Sequence, residues 1–433
     1  MWSRVLLSTM LAGYLGAAMA AQTPVAPVPV PVPSVTNPTG AISLQDAVGL
    51  ALAQSPDLLS FGWSRRAAEA RQLQAGRRPN PELETTLEDL GRSRRAADTS
   101  DAVQPQATVQ LSQLVELGGK RAARQRLAGL DFDLAAWDYE AARLDVLTRV
   151  TSAFLAVLAG QQAVAQSAQT LDVAEQVQRT VAARVAAGVV SPIEETRAGV
   201  LVASAQIEVD RARRTLDARR RQLATSWGSP VAAFASATGD LTVLPQIPPL
   251  ATLEAALAHN PDLARWVAEV ERRQAALALA RSARIPDVTV TAGYRRFTAV
   301  GGNAIVVGAT VPLPWFHRNR DGIRAAVADV DATREGARSA QLHLLAQLAD
   351  AYRALSSAGD DVTTLRTRIV PGARAVFDAV QEGYGLGRFG LMDVLDAQRT
   401  LVDANNRLLQ AVAAFHDAVT AVERLTGAPL GPR

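Results

Sequence analysis

Gly188-Val189-Val190-Ser191 returns as Gly387-Arg388-Phe389-Gly390, 199 residues later, and each copy lies between two long stretches of helical periodicity. Gly228-Ser229-Pro230 returns as Gly427-Ala428-Pro429 at the same spacing of 199. Towards the N-terminus, Ala51-Leu52-Ala53-Gln54-Ser55-Pro56-Asp57-Leu58 returns as Ala256-Leu257-Ala258-His259-Asn260-Pro261-Asp262-Leu263, and Pro81 as Pro286, both 205 residues on. A fixed period decides the fold before any local reading does. This one is far too long for a solenoid repeat. The chain is a duplicated half-protein.

Each half carries the same order of elements. The first repeat, 43–228, opens with a helix that Ser43 can cap and that Pro56 restarts, with Pro79 and Pro81 stopping it. Alternating segments at about 82–90 and 103–114 follow, separated by a polar hairpin loop at 91–101. Then come a long helix over 121–187, the glycine break, and a helix over 192–227. A linker at 229–250 leads to the second repeat, 251–427, with strands at 286–297 and 303–314, a long helix at 320–386 and a helix at 391–425, before a tail at 428–433.

The strand pattern permits two readings. Val288, Val290, Ala292 and Tyr294 alternate with Thr289, Thr291, Gly293 and Arg295, and Ile305, Val307, Ala309, Val311 and Leu313 share a face. Segments of this length suit either a tilted membrane-crossing strand or a sheet with one face on a soluble core. The helices decide between them. Residues 121–187 contain no proline and hardly any glycine, and extend for roughly 100 Å at 1.5 Å per residue. Helices of that length must align with others like themselves. Pro371 is a possible kink in the second.

The mid-helix glycines Gly160 and Gly359 stand 199 apart, where glycine costs about 1 kcal/mol relative to alanine. Close packing against the backbone is the expected reason, with the short helices at 44–55 and 252–260 as the expected partners.

At the N-terminus, Arg4, the apolar run 5–17 and Ala18-Met19-Ala20 have the layout of a secretory signal peptide over 1–20. Residues 21–42 follow as a proline-rich, disordered spacer, with alternating Pro and Val through Pro33. The absence of cysteine excludes disulfides, thiolate chemistry and a lipidated N-terminal cysteine. A formal charge of +3 from 45 basic and 42 acidic residues implies no nucleic-acid partner. Aromatic content of 5% within 48% hydrophobic residues leaves small side chains to pack long helices closely.

Four strands cannot close a barrel, and lipid tolerates no open sheet edge. Three copies supply about twelve strands, an even number that closes. The expected fold is mainly α with membrane β. It is a trimeric twelve-stranded outer-membrane β-barrel continued by a periplasmic α-helical barrel, with Pro312 and Pro314 at the strand-to-helix joint.

The chain resembles TolC-type outer-membrane efflux proteins over essentially its whole mature length. The resemblance rests on Gly188-x-x-Ser191 and Gly387-x-x-Gly390 before helices ending at Gly228 and Gly427. It also rests on Glu382-Gly383-Tyr384-x-x-Gly387-Arg388-Phe389 and on Asp393-Val394-Leu395-Asp396-Ala397-Gln398-Arg399. The joint Val311-Pro312-Leu313-Pro314-Trp315-Phe316-His317-Arg318 is similar to that of the CzcC-like heavy-metal branch.

The resemblance implies a homotrimer in outer-membrane lipid, with a periplasmic adaptor and an inner-membrane pump of the resistance–nodulation–division (RND) type as partners. It is a conduit rather than an enzyme, and it has no cofactor and no resident metal. The turns carrying Gly188, Ser191, Gly387, Arg388 and Gly390 become the periplasmic tip and adaptor contact. Tyr384 matches the gate network, and Asp393 and Asp396 match the acidic aperture positions. Their i, i+3 spacing puts both carboxylates on one helix face. Threefold symmetry would make rings that favour cations; the alternative is a solvated face on which Asp396 pairs with Arg399.

Rival readings fare worse. His259, His317, His343 and His416 have no metal-ligand spacing, and Gly118-Gly119-Lys120 lacks the phosphate-loop pattern, so no catalytic residue is expected. A non-channel periplasmic coiled coil would need no membrane strands. A conduit for drugs or for type I protein secretion is the alternative cargo reading, and the Pro-Leu-Pro-Trp joint leans towards efflux of divalent heavy-metal cations.

Overall fold

The computed structural model describes residues 36–88, 105–297, 302–316 and 318–431. The expected signal peptide, residues 21–35 of the proline-rich segment, the hairpin loop at 91–101 and His317 lie outside the described residues. The chain divides into two compact units, Met1–Thr36 and Asn37–Arg433. Of the first only Thr36 is described, and every element below belongs to the second.

Strand β1 (Gly40–Ile42) comes first and takes up the last residues of the segment read as a disordered spacer. Ser43 then starts α1 (Leu44–Gln54). Its hydroxyl accepts the Asp46 N–H at 3.2 Å, and the Asp46 carboxylate accepts the Ser43 N–H at 3.1 Å. This reciprocal box satisfies two otherwise orphaned donors. Pro56 opens α2 (Pro56–Ala75), where a missing N–H costs nothing. The first repeat continues with β2 (Glu82–Glu88), β3 (Gln106–Val115), α3 (Lys120–Ala186) and α4 (Pro192–Thr225). β4 (Phe234–Ala237) lies in the segment read as a linker and pairs in parallel with β1. The second repeat holds α5 (Leu250–Ala256), a short 3₁₀ turn at Leu257–His259, α6 (Pro261–Ser282), β5 (Val288–Phe297) and β6 (Asn303–Thr310). It ends with α7 (Arg320–Thr364), a π turn at Leu365–Ile369, α8 (Val370–Gly385) and α9 (Leu391–Thr426).

β2, β3, β5 and β6 form one antiparallel sheet in that order. Its register aligns Leu83, Leu111, Ala292 and Val307 across one face, with Thr85, Val109, Tyr294 and Ile305 in the next row. On the other face, the side chains of Gln110 and Glu84 bond at 2.5 Å, and Arg295 Nε donates to Thr108 Oγ1 at 3.0 Å. Ile305 is 82% exposed and Val307 74%. Large apolar groups in the open on one face, with bonded polar groups on the other, reverse the pattern of a soluble sheet. β6 stops at Thr310, short of the expected 314. Pro312 and Pro314 have no N–H to donate, so the ladder cannot continue through them.

α3 runs unbroken for 67 residues, but its counterpart does not. The continuous helix expected over 320–386 is divided by the π turn just before Pro371. A proline ring clashes with the carbonyl four residues earlier, and the wider π turn relieves that clash. The first repeat has Asp172 at the equivalent position and needs no such turn.

Gly160 and Gly359 do sit against close neighbours, though not the short helices. A Cβ on Gly160 would meet Leu216 Cδ1 of α4 at 3.1 Å; one on Gly359 would meet Ile247 Cδ1 at 3.3 Å and Phe415 Cε2 at 3.5 Å. Beside Gly160, the Gln161 amide both donates to and accepts from the Ala237 backbone, at 2.9 and 2.7 Å, and so ties β4 to α3. Overpacking such a site costs about 1–3 kcal/mol. Gly160→Leu and Gly359→Leu are each expected to lower the unfolding free energy by that amount, read by chemical denaturation. Unchanged midpoints would refute the close-packing account.

Candidate functional site

The two turns that join α3 to α4 and α8 to α9 have the same backbone hydrogen bonds. Gly188 and Gly387 adopt left-handed backbone with φ of 69° and 72°, which glycine accepts without a Cβ clash. The Gly188 N–H bonds Val185 O and the Val189 N–H bonds Arg184 O, each at 2.9 Å. The Gly387 N–H bonds Tyr384 O at 3.0 Å and the Arg388 N–H bonds Gly383 O at 2.8 Å. Both are Schellman motifs, which use up the last carbonyls of the arriving helix.

The departing helices are capped differently. Ser191 accepts the Ile193 N–H with its hydroxyl at 3.4 Å, and Pro192 follows it. Gly390 has no side chain, and instead the Asp393 carboxylate reaches back to its N–H at 2.8 Å.

Four helices meet behind these turns. Val177 and Val181 of α3, Ala198 of α4, Phe377 and Tyr384 of α8 and Leu391, Val394 and Leu401 of α9 form one buried cluster. Tyr384 is 4% exposed within it. The Arg184 guanidinium lies 4.4 Å from the centre of the Tyr384 ring and also donates to the Tyr384 carbonyl. The Tyr384 hydroxyl reaches Glu194 at 3.4 Å. One aromatic ring of the second repeat is thus held by a cation and an anion of the first.

Phe389 fills a complementary place, since a Cβ on Gly383 would lie 2.4 Å from its ring. Gly383 is the counterpart of Arg184 at a spacing of 199, so one position is a cation in one repeat and a gap in the other. Sequence reasoning found Tyr384 but missed Arg184 and Glu194 as its partners. The exchange of Arg184 for Gly383 was the available signal.

Asp393 and Asp396 lie exposed in the first two turns of α9. One oxygen of Asp393 serves the cap, and no ion pair joins Asp396 to Arg399 among the described residues. Ser191, Arg388 and Gly390 are exposed at the turns. Pro312 and Pro314 lie far along the chain, between β6 and α7, where Arg318 Nε donates to the Pro314 carbonyl at 3.2 Å. His416 is buried against the Leu241 carbonyl at 3.0 Å. Among the described residues no group of three His, Asp or Glu side chains is placed to hold a metal ion. None of the described helices is long and apolar enough to cross a membrane.

A family model described as "Outer membrane efflux protein" matches the chain twice, over residues 47–229 and 252–428. The two matches are offset by 205 residues at their starts and 199 at their ends, the spacings of the repeat itself. "Cobalt-zinc-cadmium resistance protein CzcC" of Cupriavidus metallidurans is 34% identical over 388 residues, 90% of each chain. "Nickel and cobalt resistance protein CnrC" of the same organism is 30% identical over 69% of this chain and 72% of its own. A solved membrane protein from Pseudomonas aeruginosa superimposes with a TM-score of 0.77 at 21% identity, over 89% of this chain and 92% of that one. At that identity the likeness concerns the fold.

Burial raises the Tyr384 phenol above its ordinary pKa, and the Glu194 carboxylate adds to the shift. An acid whose folded pKa is raised stabilises the fold below its unfolded value, near 10, and loses that contribution as pH rises through the folded value. The tyrosinate absorbance missing in Tyr384→Phe is therefore expected to titrate above pH 10. A midpoint at or below 10 would contradict this environment.

Proposed function

The chain belongs to the outer membrane efflux protein family, and on that footing we propose that it is the outer-membrane channel of a tripartite heavy-metal efflux system. It is a passive conduit from the periplasm to the exterior. The observation that carries the substrate class is the 34% identity to CzcC across 90% of both chains. Divalent cations are its cargo, delivered by an RND-type pump through a periplasmic adaptor. Selectivity for the individual metal belongs to the pump.

The mechanism follows from two ends of the molecule. At one end, the sheet presents an apolar face, and β2 and β6 each have a single partner strand. Two open edges per chain pair with those of two further copies, which gives about twelve strands in a closed barrel. At the other end, the paired turns close the conduit. Tyr384, gripped by Arg184 and Glu194, links the two helical hairpins of one protomer. Releasing that grip lets α8 and α9 swing outward from α3 and α4. Gly188, Ser191, Gly387, Arg388 and Gly390 offer the adaptor the exposed surface of the turns. Three copies bring three pairs of Asp393 and Asp396 to the aperture, where carboxylates lower the energy of a cation in transit. Asp396 is the freer of the two, because Asp393 also caps its helix.

Arg184→Gln removes the cation over the ring and is expected to cost the closed tip about 1–2 kcal/mol. In planar bilayers the variant should spend more time open than the wild type; equal open times would sink the gate assignment. Asp393→Asn with Asp396→Asn keeps an acceptor for the cap and removes the charge. Cation selectivity of the channel should fall, and unchanged selectivity would remove the acidic ring.

Cells lacking the protein should lose tolerance to at least one of zinc, cobalt, cadmium and copper. Unchanged tolerance to every metal, with sensitivity to organic toxins, would transfer the conduit to a drug-efflux system.

A further inference from the structure

The foot of the sheet is the end where β2 begins and β6 finishes. There the last turn of α2 and the link to β2 read Arg71-Gln72-Leu73-Gln74-Ala75-Gly76-Arg77-Arg78-Pro79-Asn80, with three arginines and no acid. Arg71, Arg77 and Arg78 line an open concavity of about 570 Å³ together with Gln74, Asn80 and Arg124.

The four cations are not equivalent. Arg124 is committed: its guanidinium pairs with Glu116, its Nε donates to the Ala75 carbonyl at 3.0 Å, and its Nη2 lies 3.4 Å from the Arg77 carbonyl. It shapes the backbone on which the others stand. Arg71, Arg77 and Arg78 are exposed and make no ion pair among the described residues. Three like charges kept close without a counter-charge are held apart only by solvent, and an anion placed among them would be bound.

Two observations place this concavity at the edge of the apolar band. Gln113 lies on the same face of β3 as Leu111 and Val109, the apolar one, and its amide donates to the Pro79 carbonyl at 3.0 Å. The linker therefore leaves the sheet beneath that face. At the foot of β6, Trp315 is 72% exposed and Phe316 100%. Aromatic girdles of this kind mark the level of the headgroups in membrane barrels.

We propose that Arg71, Arg77 and Arg78 bind the phosphodiester headgroup of an anionic phospholipid in the leaflet that faces the helices. The proposal rests on the channel reading of the sheet. The guanidinium fork matches a pair of phosphate oxygens, and Gln74 and Asn80 offer neutral donors beside it. Each arginine near an anionic lipid surface contributes roughly fivefold to binding. The site fixes the height of the protein in the bilayer on the periplasmic side.

The test uses the full mature protein purified from membranes in mild detergent, alongside Arg71→Gln/Arg77→Gln/Arg78→Gln. A control triple, Arg334→Gln/Arg338→Gln/Arg353→Gln, removes the same charge from exposed positions on α7. Native mass spectrometry reads retained lipid after exchange into phosphatidylglycerol, into phosphatidylcholine, or into inorganic phosphate alone. Wild type and control should retain phosphatidylglycerol over phosphatidylcholine, and the foot variant should retain it roughly 10- to 100-fold less.

Equal phosphatidylglycerol retention by wild type and foot variant would overturn the proposal. So would full competition by inorganic phosphate, which would mark a site for the free ion instead. Planar-bilayer conductance separates the two layers of the argument. If all three proteins insert and conduct while retention is equal, only the headgroup site falls. If the wild type neither inserts nor conducts, the channel reading falls and takes the site with it.

Discussion

A backbone amide in hydrocarbon must bond to another backbone group, because no water is there to replace it and an unmet group costs several kcal/mol. The four-stranded sheet meets this demand inside and fails it at both edges, β2 and β6. Its exposed leucines and valines and Ile305 keep it in lipid, and its open edges keep it from being there alone. Assembly with further copies follows from that one constraint. So does the direction of the helices, which leave the foot of the sheet and must associate along their length once the barrel has set their spacing.

Duplication supplies near-equivalent units for such a ring, and the units differ where their side chains meet at the turns. Both turns at the far end of the helices close with the same pair of backbone hydrogen bonds around a left-handed glycine. Their side chains then diverge. Arg184 stands where the second repeat has Gly383, whose side-chain space Phe389 fills, and Glu194 receives a tyrosine hydroxyl where Asp393 caps its own helix. A symmetric tip would have no cross-repeat contact of this kind to break. The Arg184–Tyr384–Glu194 grip is polar and partly solvated, so it contributes little to total stability.

The two long helical segments also differ in continuity. α3 is continuous and is bound at its middle by Gln161 to β4 and by Gly160 to α4. Its counterpart carries a π turn just ahead of Pro371, on the route between the glycine-packed middle and the Tyr384 tip. One hairpin is therefore built on a continuous helix and the other on an interrupted one.

Much of this was legible in the sequence. Periodicity and proline placement located the strands, the long helices and the turns, since these depend on local backbone rules that each residue carries with it. Gly188 and Gly387 announced themselves for the same reason. The resemblance to efflux channels added gate and aperture roles for Tyr384, Asp393 and Asp396 as expectations. Contacts between distant segments were not legible. The pairing of β1 with β4, Leu216 and Ile247 as the neighbours of Gly160 and Gly359, and Arg184 as the clamp on Tyr384 each join residues more than 50 positions apart. No local propensity encodes such a pairing. It exists only once long helices have been laid side by side and their side chains compete for the same space, so the sequence by itself determined the parts and the tertiary structure decided which of them touch.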